Sequence, residues 1–221
     1  MALSHSIKAI SYLICLALLS LLLSNHVFAD SANYDSAEQA ADLPEPHQLV
    51  QDITDSLLLV INDEQLDPVA NPDEFYQRAN TILAPVVAFD FIARGVMGSY
   101  ANQVTPEYQL KFTEAFKKGL VNTYSKGVTT FSDSVDITTV PPEADITGQR
   151  KVAVVQEIIS RDTTTYVSYT MAQNREQQWK LINVVLNGVN LGQTFRGQFA
   201  QEVEKHQGDV VKVIDNWEKR E

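Results

Sequence analysis

The feature that most constrains the fold is the stretch of residues 179–199, where a strand-like pattern changes into a helical one. Its first part is a run of β-branched and large apolar residues, too short for a typical helix, and it predicts a strand. Strict alternation would place Ile182, Val184 and Leu186 together on one face of this strand. Core packing alone would explain such a pattern, since most apolar strands are buried.

Gly188 then offers a turn, and from Leu191 the apolar residues recur at helical spacing. We therefore predict a helix over residues 191–205 that folds back over the sheet. A last helix is predicted over residues 208–219.

The preceding chain divides into a helical half and a strand half. Helical periodicity predicts helices at residues 46–61, 72–85, 90–97 and 105–125, the second with an N-cap at Asn71 and Glu74 in capping-box position. Alternation predicts strands at residues 133–140, 151–159 and 163–172, joined by short polar breaks. The fold class is therefore α+β, with a four- or five-stranded antiparallel sheet wrapped by about six helices.

The amino terminus predicts export. Lys8 precedes an apolar stretch, and Val27-Phe28-Ala29 provides residues that a signal peptidase accepts. We predict a signal peptide over residues 1–29, cleaved after Ala29, a flexible segment over residues 30–44 and one domain over residues 45–221. A retained membrane anchor is the alternative, because the apolar run is only slightly shorter than a membrane span.

The remaining composition excludes several classes of function. Cys15, the only cysteine, lies in the predicted leader without the residues that mark lipid attachment, so the exported chain would contain no disulfide and no cysteine metal site. The formal net charge is −11, and loss of Lys8 would make it one unit more negative. Such a charge argues against nucleic-acid binding and against tight adsorption to anionic lipid.

Candidate catalytic residues are few. His47 and His206 occupy polar helix positions, which favours solvent exposure. Asp90, between two phenylalanines, could act as a general base if burial raised its pKa, although a helix N-cap or a pair with Arg94 would also explain it. Arg196 is either a phosphate contact or a cation whose apolar stem packs along its helix.

The chain as a whole resembles the MlaC, or toluene-tolerance (Ttg2-type), family of periplasmic phospholipid-binding proteins. The resemblance covers about residues 45–220 and is most specific in FDFIARGVMGSYANQVTPEY, residues 89–108, and in WKLINVVLNGVNLGQTFRGQF, residues 179–199. It implies an NTF2-like fold in which the helices and the sheet enclose an apolar cavity for acyl chains.

The resemblance also implies a function. Members of the family are soluble periplasmic carriers, not enzymes, and they hold a diacyl phospholipid as cargo without a cofactor. They shuttle lipid between an outer-membrane MlaA-type lipoprotein complex and the MlaD-type component of an inner-membrane ABC transporter, which maintains outer-membrane lipid asymmetry. By this resemblance we expect a monomer that binds no nucleic acid.

Lipid binding on this scale needs an enclosed site. Two acyl chains hold about thirty methylenes, and their exposure to water would cost on the order of 24 kcal/mol, or ~0.8 kcal/mol each. A cavity of about 1,000 Å³ or more is therefore expected. Its predicted lining consists of apolar side chains of the sheet and the helices around it: Phe91, Met97, Phe116, Leu120, Tyr124, Val152, Val154, Val167, Tyr169, Met171, Ile182, Val184, Leu186, Val189, Phe195 and Phe199.

Two other hypotheses remain open from the sequence. An NTF2-like periplasmic enzyme would need Asp90 as a buried base facing the cavity, together with a donor such as Tyr124. A non-lipid interaction protein would instead have a fully packed core.

Overall fold

The structure, a computed structural model, describes residues 43–66, 70–128, 135–160 and 163–217. For residues 121–128 it describes the backbone alone. The predicted signal peptide, Cys15 and most of the segment 30–44 lie outside the described residues. No helix in the described ranges is long and apolar enough to cross a membrane.

Six α-helices are present in the described part, close to the predicted positions. They are α1 (Glu45–Ile61), α2 (Pro72–Leu83), α3 (Phe89–Met97), α4 (Pro106–Val128), α5 (Leu191–Lys205) and α6 (Val210–Asp215). A 3₁₀ helix that was not predicted, Gly98–Gln103, follows α3. It begins at Gly98, whose φ of 58° and ψ of −129° suit glycine alone, and an added Cβ there would lie 2.9 Å from Nε of Arg196.

The helix caps differ from one helix to another. Asn71 is the N-cap of α2, but its side chain makes no capping hydrogen bond, so the predicted capping box was wrong. By contrast, Oδ1 of Asn190 accepts from the backbone N–H of Gln193 at 3.0 Å, and this bond fixes the start of α5.

The sheet is an antiparallel meander in which each strand pairs with the next. Its five strands are β1 (Val135–Val140), β2 (Lys151–Ser160), β3 (Thr163–Gln173), β4 (Trp179–Leu186) and β5 (Val189–Asn190). The turn between β4 and β5 has positive φ at both central residues, Asn187 and Gly188, as tight hairpins require. The predicted α+β class with an antiparallel meander is confirmed.

An irregularity in β4 changes the predicted faces of this strand. Met171 of β3 lies opposite Leu181, whereas Thr170 lies opposite Asn183, so Ile182 is an extra residue in a β-bulge. Because Tyr169 lies opposite Val184, Leu181 and Val184 share a face. Strict alternation would put Leu181 on the face opposite Val184 and Leu186, and this was wrong because alternation does not allow for a bulge.

Most of the buried apolar side chains in the described ranges lie in three packed clusters. The largest, the helical core, joins α3 to α6 and is built on Phe112, Phe116, Phe199 and Trp217. The sheet core packs α1 against the sheet and consists of Val50, Val86, Val152, Val154, Met171 and Trp179. A small third cluster, Leu66, Phe75 and Ala79, joins α1 to α2.

Candidate functional site

The face of the sheet that α1 covers is the candidate site, and we call it the inner face. Two contacts place α1 over it: Thr54 hydrogen-bonds Gln156, and Gln51 hydrogen-bonds Thr139. The strand register then assigns the other members of this face. They are Ile137, Thr139, Val152, Val154, Gln156, Ile158, Thr165, Val167, Tyr169, Met171, Leu181, Val184 and Leu186.

One end of the inner face is closed. Val152, Val154 and Met171 are buried there, and Leu49 and Ile53 of α1 pack against them. Val152 and Val154 were predicted to line the cavity, but side chains of α1 fill the space beside them.

The opposite end is less completely covered, and we call it the open end. Val167 and Thr165 are buried at its centre, whereas two aliphatic side chains beside them, Ile158 and Leu186, are only half-buried. Ile137 on the neighbouring strand is half-buried as well. The open end is therefore an apolar surface on the covered side of the sheet that the described residues only partly bury.

A polar network separates the two ends. The Gln156 side chain is 1% exposed, and its Nε2 donates to Oγ1 of Thr54 at 2.9 Å and to Oγ1 of Thr139 at 3.0 Å. Its Oε1 accepts from the hydroxyl of Tyr169 at 3.0 Å. Burial raises the pKa of Tyr169 to about 12, so the phenol stays protonated as a donor.

The threonines complete the pairing of this network. The Thr54 hydroxyl donates to the backbone carbonyl of Val50 at 2.9 Å, and the Thr139 hydroxyl donates to Oε1 of Gln51 at 2.6 Å. A buried polar group without a partner costs about 1–3 kcal/mol, so this complete pairing is what makes a buried amide tolerable.

The sequence contains a signal for this network that apolar alternation alone does not reveal. Gln156 occupies an inward position between Val154 and Ile158, where the pattern calls for an apolar residue. A polar side chain at such a position must find buried partners. Thr54 of α1 and Thr139 of β1 supply them from distant parts of the chain.

His47 is a second buried polar residue, and the prediction that it is exposed was wrong. It lies in the first turn of α1 with 1% of its surface exposed, and its Nδ1 has no hydrogen-bond partner. Burial lowers the pKa of His47 below its ordinary value, so the folded protein favours the neutral imidazole.

The remaining predicted lining residues do not share one surface. Met97, Phe116 and Phe199 are buried in the helical core, with Leu120 and Phe195 packed against it. Phe91 is 62% exposed on α3 and Val189 is 53% exposed beside Leu186, so neither lies in an enclosed site. The side chain of Tyr124 lies outside the described residues.

Two depressions lie elsewhere on the described surface. One, of about 410 Å³, lies between the start of α1 and residues 142–149. The other, of about 220 Å³, lies between α3 and α4 and is lined in part by Asp90, Arg94 and Leu110. Neither reaches the expected volume of about 1,000 Å³ or more for two acyl chains.

Asp90 does not fit the proposed role of a buried base. It is exposed, and the N-cap of α3 is Ala88, so the N-cap interpretation of Asp90 was also wrong. Arg94 donates to Oδ1 of Asn102 at 3.4 Å. Across the described ranges, no three His, Cys, Asp or Glu side chains are grouped to hold a metal ion.

Comparisons with known proteins agree with the fold. Residues 51–219 match the family model described as MlaC protein. The chain is 36% identical over 176 residues to the toluene tolerance protein ttg2D of Pseudomonas putida, covering 78% of this chain and 79% of that protein. The structure is similar, with a TM-score of 0.69 and 21% identity, to a phospholipid-binding protein from Ralstonia solanacearum solved in complex with a phospholipid. That match covers 80% of this chain and 97% of the other.

Proposed function

The chain belongs to the MlaC family, and on that premise we propose that it binds a diacyl phospholipid with its acyl chains on the open end of the inner face. The observation that carries this proposal is the set of half-buried aliphatic side chains at Ile137, Ile158 and Leu186, on a sheet face whose opposite end packs against α1. The relative from Ralstonia solanacearum, which has the same fold, binds a phospholipid.

The chemistry of the open end suits an acyl chain. Each methylene moved from water onto these side chains gains ~0.8 kcal/mol, and the aliphatic surface itself is removed from water at the same time. Leu58, one helical turn beyond Thr54 on α1, is half-buried and extends this apolar surface onto the helix. Room for two chains requires α1 to move away from this end of the sheet, while the closed end holds the rest of the helix in place.

We also propose a cellular role, which the family and the predicted leader support. The protein would be exported by a signal peptide cleaved after Ala29 and would work in the periplasm as a soluble, monomeric carrier without a cofactor. It would receive and deliver lipid at an outer-membrane MlaA-type lipoprotein complex and at the MlaD-type component of an inner-membrane ABC transporter. In this role it would maintain outer-membrane lipid asymmetry and would catalyse no reaction; the exposed position of Asp90 supports the last point.

The first prediction tests the site with two neighbouring residues of β4. Leu186 lies on the inner face at the open end, opposite Val167, whereas Val185 lies opposite Ser168 on the other face of the same strand. Both are half-buried, so each substitution by tryptophan disturbs packing to a similar degree. We expect solvent extraction and mass spectrometry to recover about one phospholipid per chain from the wild type and from Val185→Trp, but little from Leu186→Trp.

Melting temperatures make this result interpretable. Leu186→Trp should keep a cooperative thermal transition, because its indole occupies space that the lipid otherwise fills. A Leu186→Trp protein that retains its lipid would place the acyl chains elsewhere. A wild type that yields only traces of chemically mixed lipid would reject the proposed function.

A further inference from the structure

We propose that Gln156 and Tyr169 form a polar stop at the inner end of the acyl-chain site, and that this stop limits the length of chain the protein accepts. The inference rests on the proposed function, which places the acyl chains at the open end. It assigns to these two residues a role in selecting the lipid.

The order of residues along the strands places the stop. On β2 the inner face reads Ile158, Gln156, Val154 from the open end towards the closed end. Tyr169 lies opposite Val154 on β3, and its hydroxyl reaches back to Oε1 of Gln156 at 3.0 Å. A chain that advances along β2 from the open end therefore meets the Gln156 amide before it reaches Val154 in the sheet core.

The pairing within the network resists further advance. Both amide atoms of Gln156 are hydrogen-bonded, to Thr54 and Thr139 on one side and to Tyr169 on the other. A methylene pushed into this position must separate at least one of these pairs and leave a polar atom buried without a partner. The gain from burying one methylene is smaller than that loss, so the chain end is expected to stop at the amide.

A purely structural role for the same residues makes a different prediction. The network joins α1 to β1, β2 and β3, and it could serve only to hold the helix in register on the sheet. In that case its removal would lower the melting temperature without changing which lipids are bound. The length of the bound chains therefore separates the two roles.

The test variant is the double substitution Gln156→Ala with Tyr169→Phe. Alanine removes the amide and opens space, and phenylalanine removes the hydroxyl that would otherwise lose its acceptor. Thr54 keeps its bond to the carbonyl of Val50, and Thr139 keeps its bond to Gln51, so these hydroxyls retain partners. If this variant fails to fold, Gln156→Val with Tyr169→Phe, which keeps a β-branched residue in the strand, gives the same test.

Two controls accompany the double variant. Tyr169→Phe alone removes one partner of the amide but keeps its bonds to Thr54 and Thr139, so it should change the chain-length preference less than the double variant does. Val152→Ala makes a hole in the closed end, on the same strand and face but beyond the stop, and should lower the melting temperature without altering the lipid profile.

Each full-length protein is incubated with vesicles that contain equal amounts of phosphatidylcholine with fourteen-, sixteen-, eighteen- and twenty-carbon monounsaturated chains. The protein is then re-isolated, and its bound lipid is identified by mass spectrometry. We expect the wild type to discriminate against the longest chains and the double variant to raise the ratio of longer to shorter chains at least threefold. Unchanged ratios in a folded, lipid-bearing double variant would overturn the polar stop. A wild type that takes up no lipid would reject the proposed function as well.

Discussion

Among single residues, the buried polar side chains on and beneath α1 differ in how completely they are paired. Gln156 uses both amide atoms and is held by partners from three elements, whereas Nδ1 of His47 is buried without a partner. A neutral imidazole tolerates this position better than a charged one, because burial penalises the charge. His47 is therefore the residue through which mild acid is expected to act on the fold.

The second prediction is a loss of stability in mild acid through His47. Its pKa in the folded protein lies below the ordinary value of 6.5, so the unfolded chain binds the proton more readily. This contribution to the free energy of unfolding is fully present above the ordinary pKa and is lost as the pH falls from there towards the folded-state pKa. Between about pH 7.5 and about pH 5.5, the melting temperature of the wild type should fall further than that of His47→Phe.

His206→Gln provides the control for this titration, because His206 is only partly buried at the end of α5. The melting temperature of His206→Gln should fall over this pH range as much as that of the wild type. Equal losses in the wild type and in His47→Phe would show that His47 does not titrate between the two states in this range.

At the scale of the elements, most of the fold could be read from local patterns. The bounds of α5 were predicted correctly as 191–205, because the helical period begins directly after the strand, and an asparagine cap marks the same boundary. The meander was predicted from alternation and short polar breaks. The bulge at Ile182 was not predicted. Strand register depends on hydrogen bonds between neighbouring strands, and the alternation within one strand does not record them.

The candidate site was harder to predict than the elements. Apolar periodicity shows that Phe116 and Phe199 face inward on their helices, but it does not show which surface they meet, and both lie in the helical core. For the same reason the pattern did not distinguish Val154 under α1 from Leu186 at the open end. Burial depends on which helix covers which part of the sheet, and that is settled by contacts between distant segments.

The third prediction compares two asparagine N-caps. The Asn190 side chain accepts a hydrogen bond from the backbone of Gln193, whereas the Asn71 side chain makes no capping bond. Asn190→Ala should therefore lower the free energy of unfolding by about 1 kcal/mol, and Asn71→Ala by clearly less. Denaturant titration measures both values, and Asn190→Asp should restore most of the loss. Equal losses for the two alanine variants would contradict the assignment of the caps.

At the scale of the whole molecule, the charge balance bears on how the protein would approach a membrane. The chain has 28 acidic and 17 basic residues outside histidine. Anionic head groups repel such a protein, which weakens adsorption and would favour its release after the proposed exchange of lipid.

The fourth prediction follows from this repulsion. Raising the salt concentration should accelerate lipid uptake from vesicles that contain phosphatidylglycerol, because salt screens the repulsion between the two surfaces. Uptake from vesicles of phosphatidylcholine alone should change little. Slower uptake from the anionic vesicles at high salt would instead indicate a locally attractive, basic contact surface.

The separation of the packed clusters has a spectroscopic consequence. The chain contains two tryptophans, and they lie in different cores: Trp217 has its ring 5.1 Å from that of Phe112 in the helical core, and Trp179 is buried in the sheet core. Trp179→Phe leaves an indole that reports on the helices, and Trp217→Phe leaves one that reports on the sheet beneath α1. Fluorescence from the two single-tryptophan proteins can therefore show whether lipid uptake loosens the sheet side alone or both sides of the molecule together.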